Sequence, residues 1–176
     1  MANSVIIRIS WDGPYTLNNL SEIDDEVADY GVYQIYGAHP IYGNDVLLYI
    51  GKADLQTFKT RIGQEGWVYN CDSKNVKIYV GRLSGDKTPT ANQWSREITL
   101  AEKLLIYSHA PARNTQYLNS IPISDILNVH VLNFGNHRSL LPEVSGGRYT
   151  DKFCDSPTYD VYGNHKKLGK KLKNIK

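Results

Sequence analysis

Two tyrosines, a lysine, an arginine, a glutamate and an asparagine are spaced along this chain so that one fold could gather them. Tyr33 closes the triplet Gly31-Val32-Tyr33, Tyr49 opens Tyr49-Ile50-Gly51, and Lys52 follows at once; Arg61, Glu102 and Asn114 come later. Each has an ordinary structural reading when taken singly. Strand tyrosines pack with the hydroxyl at an edge, Lys52 and Arg61 read as solvated charges, and Asn114, after Pro111, reads as turn chemistry. Glu102 is harder to dismiss. On a helix its neighbours are Ile98 at i−4, Leu105 at i+3 and Ile106 at i+4, with no basic partner at those spacings. Such a carboxylate requires a partner from elsewhere in the fold or a bound cation. Magnesium suits it, because Mg2+ is often held by one or two carboxylates with water and substrate phosphate completing the shell. A phenol is a poor base at neutral pH, with an unperturbed pKa of about 10. A nearby cation favours phenolate, which gives Lys52 a purpose beside Tyr33 and Tyr49.

These residues need elements to hold them. Val5–Ile9 reads as a short strand, 11–29 as polar and turn-like, Val32–Tyr36 and Val46–Ile50 as strands joined by a long hairpin connection, and Val76–Leu83 as a half-buried strand. Asp54 has the character of an N-cap, with Leu55, Phe58 and Ile62 following at helical spacing and Gly63 and Gly66 closing the segment. Thr90 and Gln93 have the spacing of a capping box, and a second helix is predicted from Ala91 to about Ser108, with Trp94, Ile98, Ala101 and Leu105 on one stripe. Ile126–Phe134 is the last predicted strand, before an irregular extension. The expected fold class is α+β: a small antiparallel sheet flanked by helices, in one domain. Neither Gly63 and Gly66 nor Gly146-Gly147 has the partners of a dinucleotide or P-loop phosphate cradle, so no nucleotide cofactor is expected.

The order Gly31-Val32-Tyr33, Tyr49-Ile50-Gly51-Lys52, Arg61 on the first helix, Glu102 on the second and Asn114 after Pro111 resembles the GIY-YIG nuclease superfamily, over about residues 31–114. That resemblance implies extensions 1–30 and 115–164 around a nuclease core. It also implies one Mg2+ or Mn2+ ion per site held by Glu102, Arg61 binding phosphate, one tyrosine taking a water proton while the other positions it, and Asn114 orienting a phosphate or bracing the site. Which tyrosine does which stays open. There are two departures. Fifteen residues separate Tyr33 from Tyr49, longer than is usual in the family, so the hairpin carries an insertion. Where some members place a histidine one turn after the arginine, this chain has Glu65.

The implied substrate is double-stranded DNA and the implied activity is site-specific cleavage by a restriction endonuclease. One metal site cuts one strand, so duplex cleavage implies a homodimer or sequential nicking. A repair or structure-specific nuclease, a homing-type enzyme and a non-catalytic DNA-binding protein on the same scaffold are the alternatives. Candidate DNA-reading residues are His39, Tyr42 and Asn44 in the inserted hairpin, and Asn133, Asn136, Arg138, Arg148 and the region around Tyr117 beyond the core, since Arg and Asn pair with guanine and adenine edges. Singly, each is also an ordinary loop residue. His130, Asn133 and His137 lack the spacing of a metal site. His109 sits where a helix C-terminus favours positive charge.

Composition sets the remaining bounds. No apolar run approaches the roughly 20 residues that span a bilayer, and no signal-peptide pattern opens the chain. Cys71 and Cys154 form neither a metal spacing nor a disulfide framework, so a reduced, cytoplasmic setting is expected. Residues 165–176 hold six lysines and no acid. The remainder then carries 14 basic and 18 acidic residues, a net −4 under a basic tail that either solubilises or attracts phosphates.

Overall fold

The chain folds around a single six-stranded sheet whose strands come from nearly its whole length. The computed structural model describes residues 4–67 and 75–149; Cys71, Cys154 and the basic tail lie outside them. The strands are β1 (Val5–Tyr15), β2 (Gly31–His39), β3 (Gly43–Ala53), β4 (Lys77–Ser84), β5 (Val129–Gly135) and β6 (Glu143–Ser145), in the order β3-β2-β4-β1-β5-β6. Helices α1 (Phe58–Gln64), α2 (Ala91–His109) and the short α3 (Ile123–Ile126) complete the α+β architecture. No helix among the described residues is long and apolar enough to cross a membrane.

The sheet is mixed, which corrects the expectation of an antiparallel one. β1 pairs antiparallel with β4 and parallel with β5, from Val5 opposite Val129 to Trp11 opposite Gly135. A parallel pair closes only through a long crossover, and here that crossover contains every other large element, so no local pattern announces it. β1 also runs on to Tyr15, through residues that read as a turn. Strands from both flanking segments therefore join the sheet on the same side, β1 beside β4 and β5 and β6 beyond it. The three-residue β6 is too short to show a period in the sequence, and β5 begins later than expected, because Ile123–Ile126 is helical.

Two cores result. On one face α2 buries Ile98, Ala101, Leu104 and Leu105 against Ile7, Ile9 and Trp11 of β1 and Val129 and Val131 of β5. On the other, α1 and a 3-10 turn at Leu20–Ile23 cover Tyr33, Ile35, Leu48, Ile78 and Val80 with Phe58, Ile62 and Ile23. Thr90 caps α2 by accepting from the Gln93 amide; the Gln93 side chain turns to Glu97 instead of closing the box. The cap of α1 is Thr57, not Asp54, and its hydroxyl accepts from the Thr60 amide. Leu55, expected on the buried stripe, precedes the helix and is 87% exposed.

The hairpin of β2 and β3 sets the geometry of the centre. Tyr33 lies opposite Gly51 and Ile35 opposite Tyr49, after which the register shifts and Tyr36 meets Leu47. Tyr33 and Tyr49 are thus diagonal neighbours on the α1 face, their ring centroids 6.1 Å apart. Gly51 permits this: a Cβ there would sit 2.5 Å from the Tyr33 ring and 2.7 Å from that of Tyr49. Gly31, at φ +148, has a different reason. A Cβ on it would collide with the Gly81 carbonyl of β4.

Candidate active site

β3 is an edge strand, and the cleft forms where that edge meets both faces of the sheet. Side chains alternate across a strand. Tyr49 therefore points to the α1 face with Tyr33, while Lys52, three residues on, points to the α2 face. The segment after α2 returns along the edge: Ala112 and Arg113 donate their amides to the Leu47 and Leu48 carbonyls, at 3.2 and 2.8 Å. Between them lies a cleft of 490 Å³ lined by Tyr49, Lys52, Asp54, Arg61, Glu102, Arg113 and Asn114, with Leu55 and Tyr117 at its margin.

Glu102 enters from α2. Burial raises its carboxyl to about 7, against the opposing pull of Lys52 and with Asp54 adding to the rise. Among the described residues no hydrogen bond or ion pair engages it. A carboxylate in that condition, in a cleft, suits a divalent cation held by one protein ligand, with water and substrate oxygen filling the shell. No group of three metal-ligating side chains exists among the described residues, so a site here would be of that open kind.

Lys52 is not aimed at the phenols. Its Nζ is 2.8 Å from Asp54 Oδ2 and donates to Thr99 Oγ1 at 2.8 Å, one turn below Glu102. Asp54 also accepts from Ser95 Oγ. The expected coupling of Lys52 to phenolate fails because an odd spacing along β3 sends lysine and tyrosine to opposite faces. Neither phenol is acidified. Burial, then the charge of Glu65, pushes Tyr33 far above its ordinary value, and the same two causes with Glu102 push Tyr49 up to about 12.

Glu65 joins the site without having been expected there. Its Oε1 accepts from Tyr33 Oη at 2.7 Å and from Tyr49 Oη at 3.3 Å, and lies 2.9 Å from Arg61 Nη2. Its Oε2 accepts from Trp67 Nε1 at 3.2 Å. The signal was present in the i,i+4 spacing of Arg61 and Glu65 on one helix face. Tyr33 is 0% exposed and stands behind the cleft, whereas Tyr49 is half-buried and lines it. Asn114 is a brace: its Oδ1 accepts from the Ile50 amide and its Nδ2 donates to the Ile50 carbonyl, both at 2.9 Å. Both amide atoms are thereby committed to the central residue of Tyr49-Ile50-Gly51.

The candidate DNA-reading residues lie elsewhere. His39 stacks on Tyr42 at the hairpin tip, where Tyr42 and Asn44 are exposed. Asp45 lies seven positions along β3 from Lys52, about 23 Å at the usual strand rise. Arg138 pairs with Asp45 at 2.8 Å and lies over the Tyr36 and Tyr79 rings; Asn136 donates to the Gly13 carbonyl. Asn133 is buried under Trp11, accepting from its Nε1. Arg148 sits apart, exposed beside Tyr149, which packs on Tyr107 of α2. His109 corrects another expectation. The Leu141 amide donates to its Nε2, so its Nδ1 carries the proton and donates to the Leu105 carbonyl. The ring is a neutral bridge, and burial lowers its pKa against the opposing pull of the Leu105 carbonyl.

Compared with known proteins, the chain matches no family model, no curated protein and no solved structure.

Proposed function

We propose that the chain is a divalent-metal-dependent endonuclease that hydrolyses phosphodiester bonds in duplex DNA, acting at specific sites as a restriction enzyme does. One observation carries the proposal: the Glu102 carboxylate, without a hydrogen-bond or ion-pair partner among the described residues, shares a cleft with Tyr49, Lys52 and Arg61, in the chain order that resembles the GIY-YIG nucleases. Phosphodiester hydrolysis requires an attacking water in line, positive charge around the phosphoryl oxygens and a proton for the leaving oxygen.

Glu102 would hold Mg2+ or Mn2+, which supplies Lewis-acid charge neutralisation at the phosphoryl group. Arg61, 38% exposed on its side chain and steadied by Glu65, offers its guanidinium to a phosphate. Tyr49 presents its hydroxyl to the cleft and orients the water. Lys52 keeps Asp54 and Thr99 in place and adds positive charge near Glu102, favouring its carboxylate. Asn114 fixes the backbone of Tyr49-Ile50-Gly51. The exposed hairpin tip with Tyr42 and Asn44 supports contact with duplex beyond the cleft.

Incubation with plasmid DNA and Mg2+ tests the reading. Discrete, reproducible bands are expected. Nicking alone, a smear, or cutting confined to branched DNA moves the activity to repair or structure-specific cleavage. Tight DNA binding without cleavage under any divalent ion leaves a non-catalytic scaffold.

A further inference from the structure

Glu65 collects four donors within hydrogen-bonding reach, from Tyr33, Tyr49, Arg61 and Trp67, on a side chain only 12% exposed. An ion pair with Arg61 alone needs none of the phenols. Two of the donors differ in what lies behind them. Tyr33 is sealed in the core, so no water can reach its oxygen to hand on a proton. Tyr49 opens onto the cleft. A phenol can donate one hydrogen bond and accept others at the same oxygen. Tyr49 therefore donates to Glu65 while its lone pairs face the side where a water would sit.

We infer that Glu65 is the terminal proton acceptor of the site, acting through Tyr49, so that the pair works as a two-step relay. The inference rests on the nuclease reading above. As the water oxygen bonds to phosphorus and the bond from phosphorus to the leaving oxygen breaks, a water proton passes to Tyr49 Oη. Tyr49's own proton passes to Glu65 Oε1, and the leaving oxygen takes its proton from solvent. Glu65 gives up the proton to solvent after product leaves. Tyr49 starts and ends as a phenol.

The surroundings favour a relay over a standing phenolate. The groups facing Tyr49 are Glu65 and Arg61 of the α1 segment, Tyr33 of β2 and Glu102 of α2. Burial, then the charges of Glu65 and Glu102, push its hydroxyl up to about 12 against the opposing pull of Arg61, leaving little phenolate at neutral pH. Passing the proton on removes the need for one. Arg61 and Tyr33 then act as positioning residues, fixing Oε1 where the Tyr49 hydroxyl can reach it. Glu65 is itself a positioning residue with respect to substrate, since it does not line the cleft.

The test is a cycle of Tyr49→Phe, Glu65→Gln and the double variant, with rates measured on a cleaved DNA duplex in Mg2+. Each single variant is expected to lose about a hundredfold or more in kcat, the scale of general acid–base catalysis, with KM little changed. The double variant should be no slower than the slower single one, because both changes cut one path. Adding formate or acetate to Glu65→Ala should recover part of the lost rate, and chloride at equal ionic strength should not. Multiplicative losses, or a Glu65→Gln rate within about threefold of the native protein, overturn the inference. Should the Glu65 variants not fold, the native rate in mixtures of light and heavy water decides. A curved dependence supports two protons in flight, and a linear one overturns it. A native protein that cuts nothing sinks the nuclease reading and this one together, whereas native cleavage with an unaffected Glu65→Gln sinks only the relay.

Discussion

At the open end of the β2–β3 hairpin, Glu102 makes no hydrogen bond or ion pair among the described residues, and its carboxyl is raised to about 7. At the other end, Asp45 is held by Lys77 at 3.0 Å and by Arg138 at 2.8 Å, and Arg138 is covered by two tyrosine rings. The same hairpin thus lies beside one carboxylate without a partner among the described residues and carries another that is paired twice. Folding alone accounts for the tip. It does not account for Glu102, because an unpaired, partly buried carboxylate costs stability and persists where something else uses it. The contrast separates residues that wait for a ligand from residues that have found their partners within the chain.

The largest effect expected from this contrast is at Glu102. Glu102→Gln should lower the cleavage rate at least about a thousandfold, the several kcal/mol that metal charge stabilisation supplies. It should also make the protein more stable, which distinguishes a site residue from a brace. The sign follows from the raised pKa. Protonated Glu102 contributes its full stability below the unfolded value near 4.5, and that contribution is lost as pH rises through about 7. Native protein should therefore lose about 3 kcal/mol relative to Glu102→Gln between pH 4.5 and 8. Mg2+ should restore stability at pH 8 to the native chain only. Thermal melts at the two pH values, with and without Mg2+, measure this. Equal melting behaviour across the series would mean that Glu102 has a partner after all.

Asn114 should give the opposite pattern. Asn114→Ala leaves the Ile50 amide and carbonyl without their partners at a buried edge, and should cost about 2–4 kcal/mol at every pH. Cleavage should fall at the same time, because Tyr49 and Lys52 flank the residue that Asn114 holds. A denaturant titration measures the loss. A stable Asn114→Ala protein that is nonetheless inactive would move Asn114 from brace to phosphate contact.

What could be read from the sequence divides along the same line. The strands and helices that carry the cleft announced themselves by period and capping, as with Thr90 and the Ile98/Ala101/Leu105 stripe of α2. Glu102 announced itself by its apolar neighbours. The mixed sheet did not, because the β1–β5 pairing joins residues more than a hundred positions apart and leaves no local trace. Glu65 was hidden for a related reason. Its phenol partners come from two strands, and only folding shows that one carboxylate oxygen serves both. The face of Lys52 was countable: three residues from Tyr49 put its side chain across the sheet from the phenols. Arg138 shows the reverse error, where a residue type suited to reading bases is spent on Asp45 and two aromatic rings.

Arg138 also supplies the smallest and most discriminating prediction. If the tip is architecture, Arg138→Ala should remove one exposed ion pair and two ring contacts, a loss of about 1 kcal/mol by thermal melt. The cleavage rate and the affinity for duplex DNA should stay within about threefold, since surface changes of this kind rarely act at a distance. Tyr42 is 66% exposed and contributes little to the fold. Tyr42→Ala should therefore leave the melting temperature unchanged while weakening DNA binding, which a fluorescence anisotropy titration reads. The two substitutions bracket the same aspartate and are expected to split: stability from one, affinity from the other. A drop of about tenfold or more in DNA affinity from Arg138→Ala would erase the distinction between the two ends of the hairpin. The Asp45 ion pair would then be a resting state that DNA phosphate displaces, and the tip would join the cleft as part of one binding surface.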